Sequence, residues 1–105
     1  MAIAVPDLDP DLAAIPTGAP AAYGGVGAAE NVRLIGVTFT NGSGAARTVT
    51  VTDNAGVALL NAVDLPSSGI PFVMELPFCR LLGLKCGASG ANVTGKLWGY
   101  KVWPF

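Results

Sequence analysis

Ala46-Arg-Thr-Val-Thr-Val-Thr52 alternates without error, with Val49 and Val51 on one face and Thr48, Thr50 and Thr52 on the other. A two-residue period built from β-branched side chains is the pattern of a half-buried strand. Working outward, Val32 to Thr40 is again β-branched, with Ile35, Val37 and Phe39 in phase, and Asn41-Gly-Ser-Gly44 supplies the turn between the two. On the other side Asp53-Asn-Ala-Gly56 turns the chain into a third strand, Val57 to Leu65. The three are expected to pair as a meander. Pro66-Ser-Ser-Gly69 separates them from Ile70 to Leu76, where Ile70, Phe72, Met74 and Leu76 face away from Pro71, Val73 and Glu75. Pro71 has no N–H to give a ladder, so this fourth strand is expected to sit at a sheet edge or to begin after the proline. Pro77 is expected to break the chain before a fifth strand, Leu81 to Cys86, with Leu82, Leu84 and Cys86 in phase. Gly87-Ala-Ser-Gly90 then turns into the last strand, Val93 to Val102. About six short strands at intervals of roughly 8–12 residues, with no amphipathic helix, predict an all-β fold, a small antiparallel β-sandwich or barrel.

The 105 residues make one domain with two unlike parts. Residues 1–30 hold Asp7, Asp9, Asp11 and Glu30 and no Lys or Arg, a charge of −4, and 17 of the 30 are Ala, Gly or Pro. Such a segment has little large apolar surface to offset its ordering entropy, and its prolines interrupt helix and sheet alike. It reads as an extended N-terminal arm. Residues 31–105 carry six cations against Asp53, Asp64 and Glu75, a charge of +3, and read as the β-sandwich domain. An acidic arm beside a basic body is placed to lie across a neighbouring copy, or to hang free as a terminus.

Half of the chain is hydrophobic, only 12% is charged, and the mean hydropathy is +0.54. A membrane span does not explain this, because the charge-free run Leu12 to Ala29 is broken by Pro16, Pro20 and four glycines. No basic segment and apolar core precede the first acids, so no secretory signal is read, and a reducing cytoplasm is the expected place of synthesis. Six cations in a chain of net charge −1 do not build a nucleic-acid groove. About 75 residues bury only about 60% of their unfolded surface. Several strands also carry apolar residues on both faces, so burial against other subunits is the economical expectation.

Chemistry finds few footholds. With no histidine there is no Ser–His or Cys–His pair, and the three acids of the body fall in separate strands and turns. Asp7-Leu-Asp-Pro-Asp-Leu12 begins like a calcium loop, but Leu12 stands where that loop needs glycine and Gly18 where it needs a glutamate. Gly24-Gly-Val-Gly27 lacks the lysine of a phosphate loop. Cys79 and Cys86 match neither a redox motif nor a zinc knuckle, and are either small buried hydrophobes or a pair able to oxidise across a short loop. Asn41-Gly-Ser43 and Asn92-Val-Thr94 match glycosylation acceptors, which without a secretory route stay unmodified. No catalytic residue, metal or cofactor is assigned. Trp98, Tyr100, Trp103 and Phe105 crowd four of the eight aromatics into the last eight residues, beside Lys96 and Lys101. Stacking on bases or sugars is one use of such a cluster, and packing on a neighbouring protein is the favoured one.

Six phrases of the body, Ile35-Gly-Val-Thr-Phe-Thr-Asn-Gly42, Ala46-Arg-Thr-Val-Thr-Val-Thr-Asp53, Asp64-Leu-Pro66, Phe72-Val-Met-Glu-Leu-Pro77, Gly83-Leu-Lys-Cys86 and Val93-Thr-Gly-Lys-Leu-Trp-Gly-Tyr100, resemble those of small virion structural proteins of tailed bacteriophages. The resemblance spans about two thirds of the chain and carries no catalytic signature. It implies a compact β-sandwich that decorates or cements a capsid, bound to the major capsid protein and to copies of itself as a homo-oligomer on the virion surface. It implies no enzyme, nucleic-acid or membrane role. A head–tail joining, tail or baseplate component, or a module that binds a host surface or polysaccharide, are the alternative expectations. The physical reading adds Pro6, Asp7, Asp9, Asp11 and Tyr23 of the arm, and Trp98, Tyr100, Trp103 and Phe105 of the C-terminus, as candidate partner contacts.

Overall fold

The computed structural model describes residues 3–7, 13–23, 27 and 29–103, the side chains of 3–7, 13–14, 77–79 and 100–103 excepted. They form nine strands and no helix: β1 (Ile3–Asp7), β2 (Ala13–Ala14), β3 (Ala21–Ala22), β4 (Asn31–Asn41), β5 (Arg47–Thr52), β6 (Ala58–Leu65), β7 (Phe72–Leu82), β8 (Lys85–Ala88) and β9 (Val93–Trp103). All strand pairs are antiparallel and fall into two sheets. One sheet runs β1-β9-β4-β7, with β2 also on β9, and the other runs β3-β8-β5-β6. This is the two-layer, sandwich-like arrangement that the strand pattern implies.

Between the layers lie Val32, Leu34, Val37 and Phe39 of β4 with Val93 and Leu97 of β9. Against them stand Val49, Val51, Leu60, Leu65, Cys86 and Ala88 of the second sheet, with Leu84 just before β8. Phe39, the largest fully buried side chain, fits because its cross-strand partner on β9 is Gly95. A Cβ at Gly95 would collide with the Phe39 ring at 2.6 Å and with the carbonyl oxygen of Thr38. Alternating Val93, Gly95 and Leu97 on one face of β9 is therefore a large–small fit to the ring, which packing to interior density demands.

The order of pairing departs from a simple meander. β4 pairs with β7 and β9, while β5 and β6 form a hairpin in the opposite sheet. The crossing between layers is fixed by Asn41, a fully buried polar side chain. Its Nδ2 donates to the carbonyls of Ala45 (2.6 Å) and Leu65 (3.1 Å), and its Oδ1 accepts from the Ser43 N–H (3.0 Å) and hydroxyl (2.6 Å). A turn residue with four partners can direct the chain out of one sheet and into the other.

Two breaks in register correct the expected faces. Between Leu34 and Gly36 the pairing of β4 with β9 slips by one residue, so Ile35 is bulged outward while Leu34 and Val37 both face the core. Ile35 is thus out of phase with Val37 and Phe39. Opposite the same point, Pro77 does not end a strand. β7 runs through it from Phe72 to Leu82 and absorbs it as a register shift, on an edge where a missing N–H leaves no neighbour unsatisfied. The expected fifth strand is consequently divided: Leu82 ends β7 in one sheet, whereas Leu84 and Cys86 enter the core from the other side of a crossing.

The N-terminal segment is extended, yet its described part is built into the body and so crosses the expected boundary at residue 30. β1 and β2 add to β9, β3 adds to β8, and Ile15 and Tyr23 belong to the core. The path from Ile15 to Tyr23 is held by Ile15 N–H to Val93 O (2.8 Å), Ala88 N–H to Pro16 O (2.8 Å), Gly18 N–H to Ala88 O (2.9 Å) and Tyr23 N–H to Leu84 O (3.1 Å). Ala, Gly and Pro suffice here because pairing uses the backbone, and only two large side chains are needed to fill the space beneath.

Truncating Tyr23 to Ala should lower unfolding stability by about 3 kcal/mol or more, and Tyr23→Phe, which removes the acceptor for the Leu97 N–H, by about 1 kcal/mol. Gly95→Ala should cost roughly 1–3 kcal/mol by overpacking against Phe39. Urea denaturation at constant m-value measures all three.

Candidate interaction surface

With β2 and β3 crossing from β9 to β8, one side of the sandwich is sealed by backbone. The remaining edge strands are β7 of the first sheet and β6 of the second. Among the described side chains, six apolar ones pack on the core without being fully covered, Leu59 and Val63 on β6 and Phe72, Met74, Leu76 and Leu81 on β7. All six belong to this second side. The core therefore has one closed and one open flank.

Large apolar side chains gather around the open flank. Val73 is 59% exposed and Leu82 52% on β7 itself, Ile70 (69%) leads into β7, and Val57 (65%) leads into β6. Ile35, pushed out by the bulge on β4, is 39% exposed. The two edges differ in how far they could accept another strand. β6 is interrupted at Ala62, held at φ 50°, and its pairing with β5 shifts register twice. Such a kinked edge resists a new neighbour.

On the outer face of the first sheet, cross-strand rows can be read from the register. Val73, Thr38 and Lys96 form one row, Glu75, Gly36 and Trp98 the next, and Arg80 and Arg33 another, with Tyr100 at the β9 position. Arg80 donates from Nε (3.3 Å) and Nη2 (3.2 Å) to Asn31 Oδ1 on the same face. Trp98 is half-buried because its ring lies over Gly36, where a Cβ would meet Trp98 Cε3 at 2.9 Å and the Met74 carbonyl at 3.3 Å.

The candidate contacts named from the sequence separate on this frame. Tyr23 is buried in the core, and its hydroxyl oxygen accepts the Leu97 N–H at 3.3 Å, so its contact is with the chain's own β9. Trp98 is on the outer face. Pro6 and Asp7 lie on β1, whose register sets Asp7 opposite Tyr100 and Ile3 opposite Trp103. Pairing of β1 with β9 thus brings Asp7 and Tyr100 to one register position. Asp9, Asp11 and Phe105 lie outside the described residues. The apolar side chains of the open flank were absent from that list, although the strand carrying most of them shows its signal in the sequence: Ile70 to Leu76 is apolar on both faces, which a strand covered on one face alone does not require.

Among the described residues no three His, Cys, Asp or Glu side chains lie close enough to hold a metal ion. Cys86 is a free thiol, fully buried on β8, so the loop-spanning disulfide is not formed; Cys79 stands on β7, in the opposite sheet. Burial pushes the Cys86 thiol up to about 12, partly offset by a hydrogen bond from the Gly87 backbone. No protein-family model matches the chain, and no match was found among curated proteins or solved structures. The class defined by the structure is an antiparallel two-sheet β protein.

Because the native thiol holds its proton to higher pH than the unfolded one, its contribution to stability is complete below 9.0 and declines as pH rises towards about 12. Unfolding free energy measured across that window should fall more steeply for the wild type than for Cys86→Ala. Thiol reagents should label Cys86 only on unfolding.

Proposed function

We propose that this protein is a non-enzymatic structural subunit of a bacteriophage virion, decorating and stabilising the capsid surface through many copies of a protein–protein contact. The observation that carries the reading is the open flank: a small sandwich sealed on one side leaves Phe72, Met74, Leu76, Leu81, Leu59 and Val63 half-covered on the other, with Ile70, Val73, Leu82 and Val57 exposed around them. Apolar side chains left exposed along one flank of a small domain mark a surface meant to be covered. The phrases of the body that resemble phage virion proteins supply the setting, and the major capsid protein together with further copies of this chain supplies the cover. Weak contacts repeated over a symmetric shell sum to firm attachment, which suits a subunit with one modest apolar flank.

Quantitative labelling of intact particles of the phage that encodes this chain is the deciding experiment. A decoration role requires the protein on the outer capsid in on the order of hundreds of copies, whereas about twelve or fewer at one vertex or on the tail would make it a joining or tail component. Particles stripped of it should lose resistance to heat and osmotic shock and regain it when purified protein is added back. Full resistance in stripped particles would end the cementing role.

A further inference from the structure

Among the described residues no strand lies beyond β7 in the first sheet, and its exposed side chains form a pattern that is complementary to itself. Of its described side chains Val73, Glu75, Arg80 and Leu82 are exposed. Val73 and Leu82 are equidistant from the Pro77–Phe78 peptide bond, and so are Glu75 and Arg80. In an unbroken strand residues 75 and 80, five apart, would point to opposite faces. The register shift between Leu34 and Gly36 changes this: Glu75 stands opposite Gly36, Arg80 opposite Arg33, and both lie on the outer face. The inner face carries Met74, Leu76 and Leu81, half-buried and packed on the core.

We propose that two copies of this protein join β7 to β7, antiparallel, about a two-fold axis that passes between the two strands level with their Pro77–Phe78 bonds. In this register Glu75 of each copy faces Arg80 of the other, and Val73 faces Leu82. On the inner face Met74 is opposite Leu81, so the half-covered flank of each core is extended by that of its neighbour. A two-fold contact of this type uses one patch twice, and the sequence of β7 supplies both members of each pair. Opposite charges and apolar side chains directly across an antiparallel pair are the favourable combinations.

Pro77 and the shifted pleat guard the strand against a regular neighbour, since a continuous strand laid along it would lose step at the break. A second copy has its own break at the axis, and the two interruptions coincide. The ladder has a natural limit at Leu82, whose carbonyl already accepts the Asn54 N–H at 2.9 Å, leaving Leu82 to contribute its side chain. β6, blunted at Ala62, offers no equivalent edge.

The inference rests on the assembly reading above and names a second copy as the partner on that flank. Its test is made in solution without particles, so a negative result separates it from the proposal of capsid attachment. By sedimentation equilibrium at about 100 μM, a concentration that populates complexes of micromolar Kd, the wild type should run at twice the 10.6 kDa of the chain. Glu75→Arg and Arg80→Glu each set like charges opposite one another at two sites and should weaken the dimer roughly tenfold or more. An equimolar mixture of the two variants restores opposite charges at both sites and should dimerise again. Circular dichroism checks that each exposed substitution leaves the fold intact. A wild type that stays at the monomer mass, single variants that dimerise as the wild type does, or a mixture of weakened variants that fails to recover would each overturn the proposal.

Discussion

The structure depends on one crossing of the backbone, the passage of residues 13–23 from the edge of the first sheet to the edge of the second. Ala13 and Ala14 pair with β9, Ile15 donates to Val93, and within a few residues Pro16, Gly18 and Tyr23 are bonded to β8 and to the crossing before it. Tyr23 then reaches back with its hydroxyl oxygen to the Leu97 N–H of the first sheet. Two layers that would otherwise meet mainly through side chains are thereby joined by hydrogen bonds on one side. A small core gains most from such a closure, because it has few side chains to lose to solvent. The same closure makes the molecule asymmetric. Among the described side chains, the apolar ones left half-covered at the core all lie on the β6–β7 flank, so the N-terminal segment determines which flank of the core stays open.

The strands were legible and their partners were not. Alternation marks Arg47–Thr52 to within a residue, and the β-branched runs mark β4 and β9 nearly as well, because side-chain direction in a strand repeats every two residues and is a local property. Pairing is a non-local property. Nothing in Asn41-Gly-Ser-Gly44 distinguishes a hairpin turn from a crossing between layers; the distinction is made by the bond from Asn41 to Leu65, 24 residues away. The bulge at Ile35 was hidden for a related reason, since a slip in register is set by the two neighbouring strands and not by the residue that is expelled. Pro77 was read as a terminator because its missing N–H is costly in the middle of a sheet, and on an outer edge that cost vanishes.

The N-terminal segment and the interaction surface were partly legible for opposite reasons. Composition marks residues 1–30 as an extended arm, but composition weighs side chains, and the described part of this segment is held by its backbone. Among its described side chains Ile15 and Tyr23 are large and apolar enough to fill a core, and both do so. Tyr23 therefore looks like a surface aromatic only until its hydroxyl finds an acceptor role inside. For the surface, an excess of apolar positions was apparent from the sequence, whereas its location required knowing which edges the first 23 residues had already taken.

Charge decides how the open flank can be used. Among the described side chains, the outer face of the first sheet carries Arg33, Arg80 and Lys96 against the acid Glu75, interspersed with Thr38 and Thr40. Stacking two such faces would bring three cations of one copy towards three of another and bury threonine hydroxyls without partners, which costs more than the small area of Ile35 and Trp98 returns. The edge is different. There the cation Arg80 and the acid Glu75 lie on the same strand, the apolar side chains flank them, and the backbone groups that face outward need partners of their own. A subunit with so few charges can still specify its contact, provided the charges sit where the chain must meet a neighbour in one register. On this molecule that condition is met along β7, and contact through the edge is accordingly favoured over contact through the face.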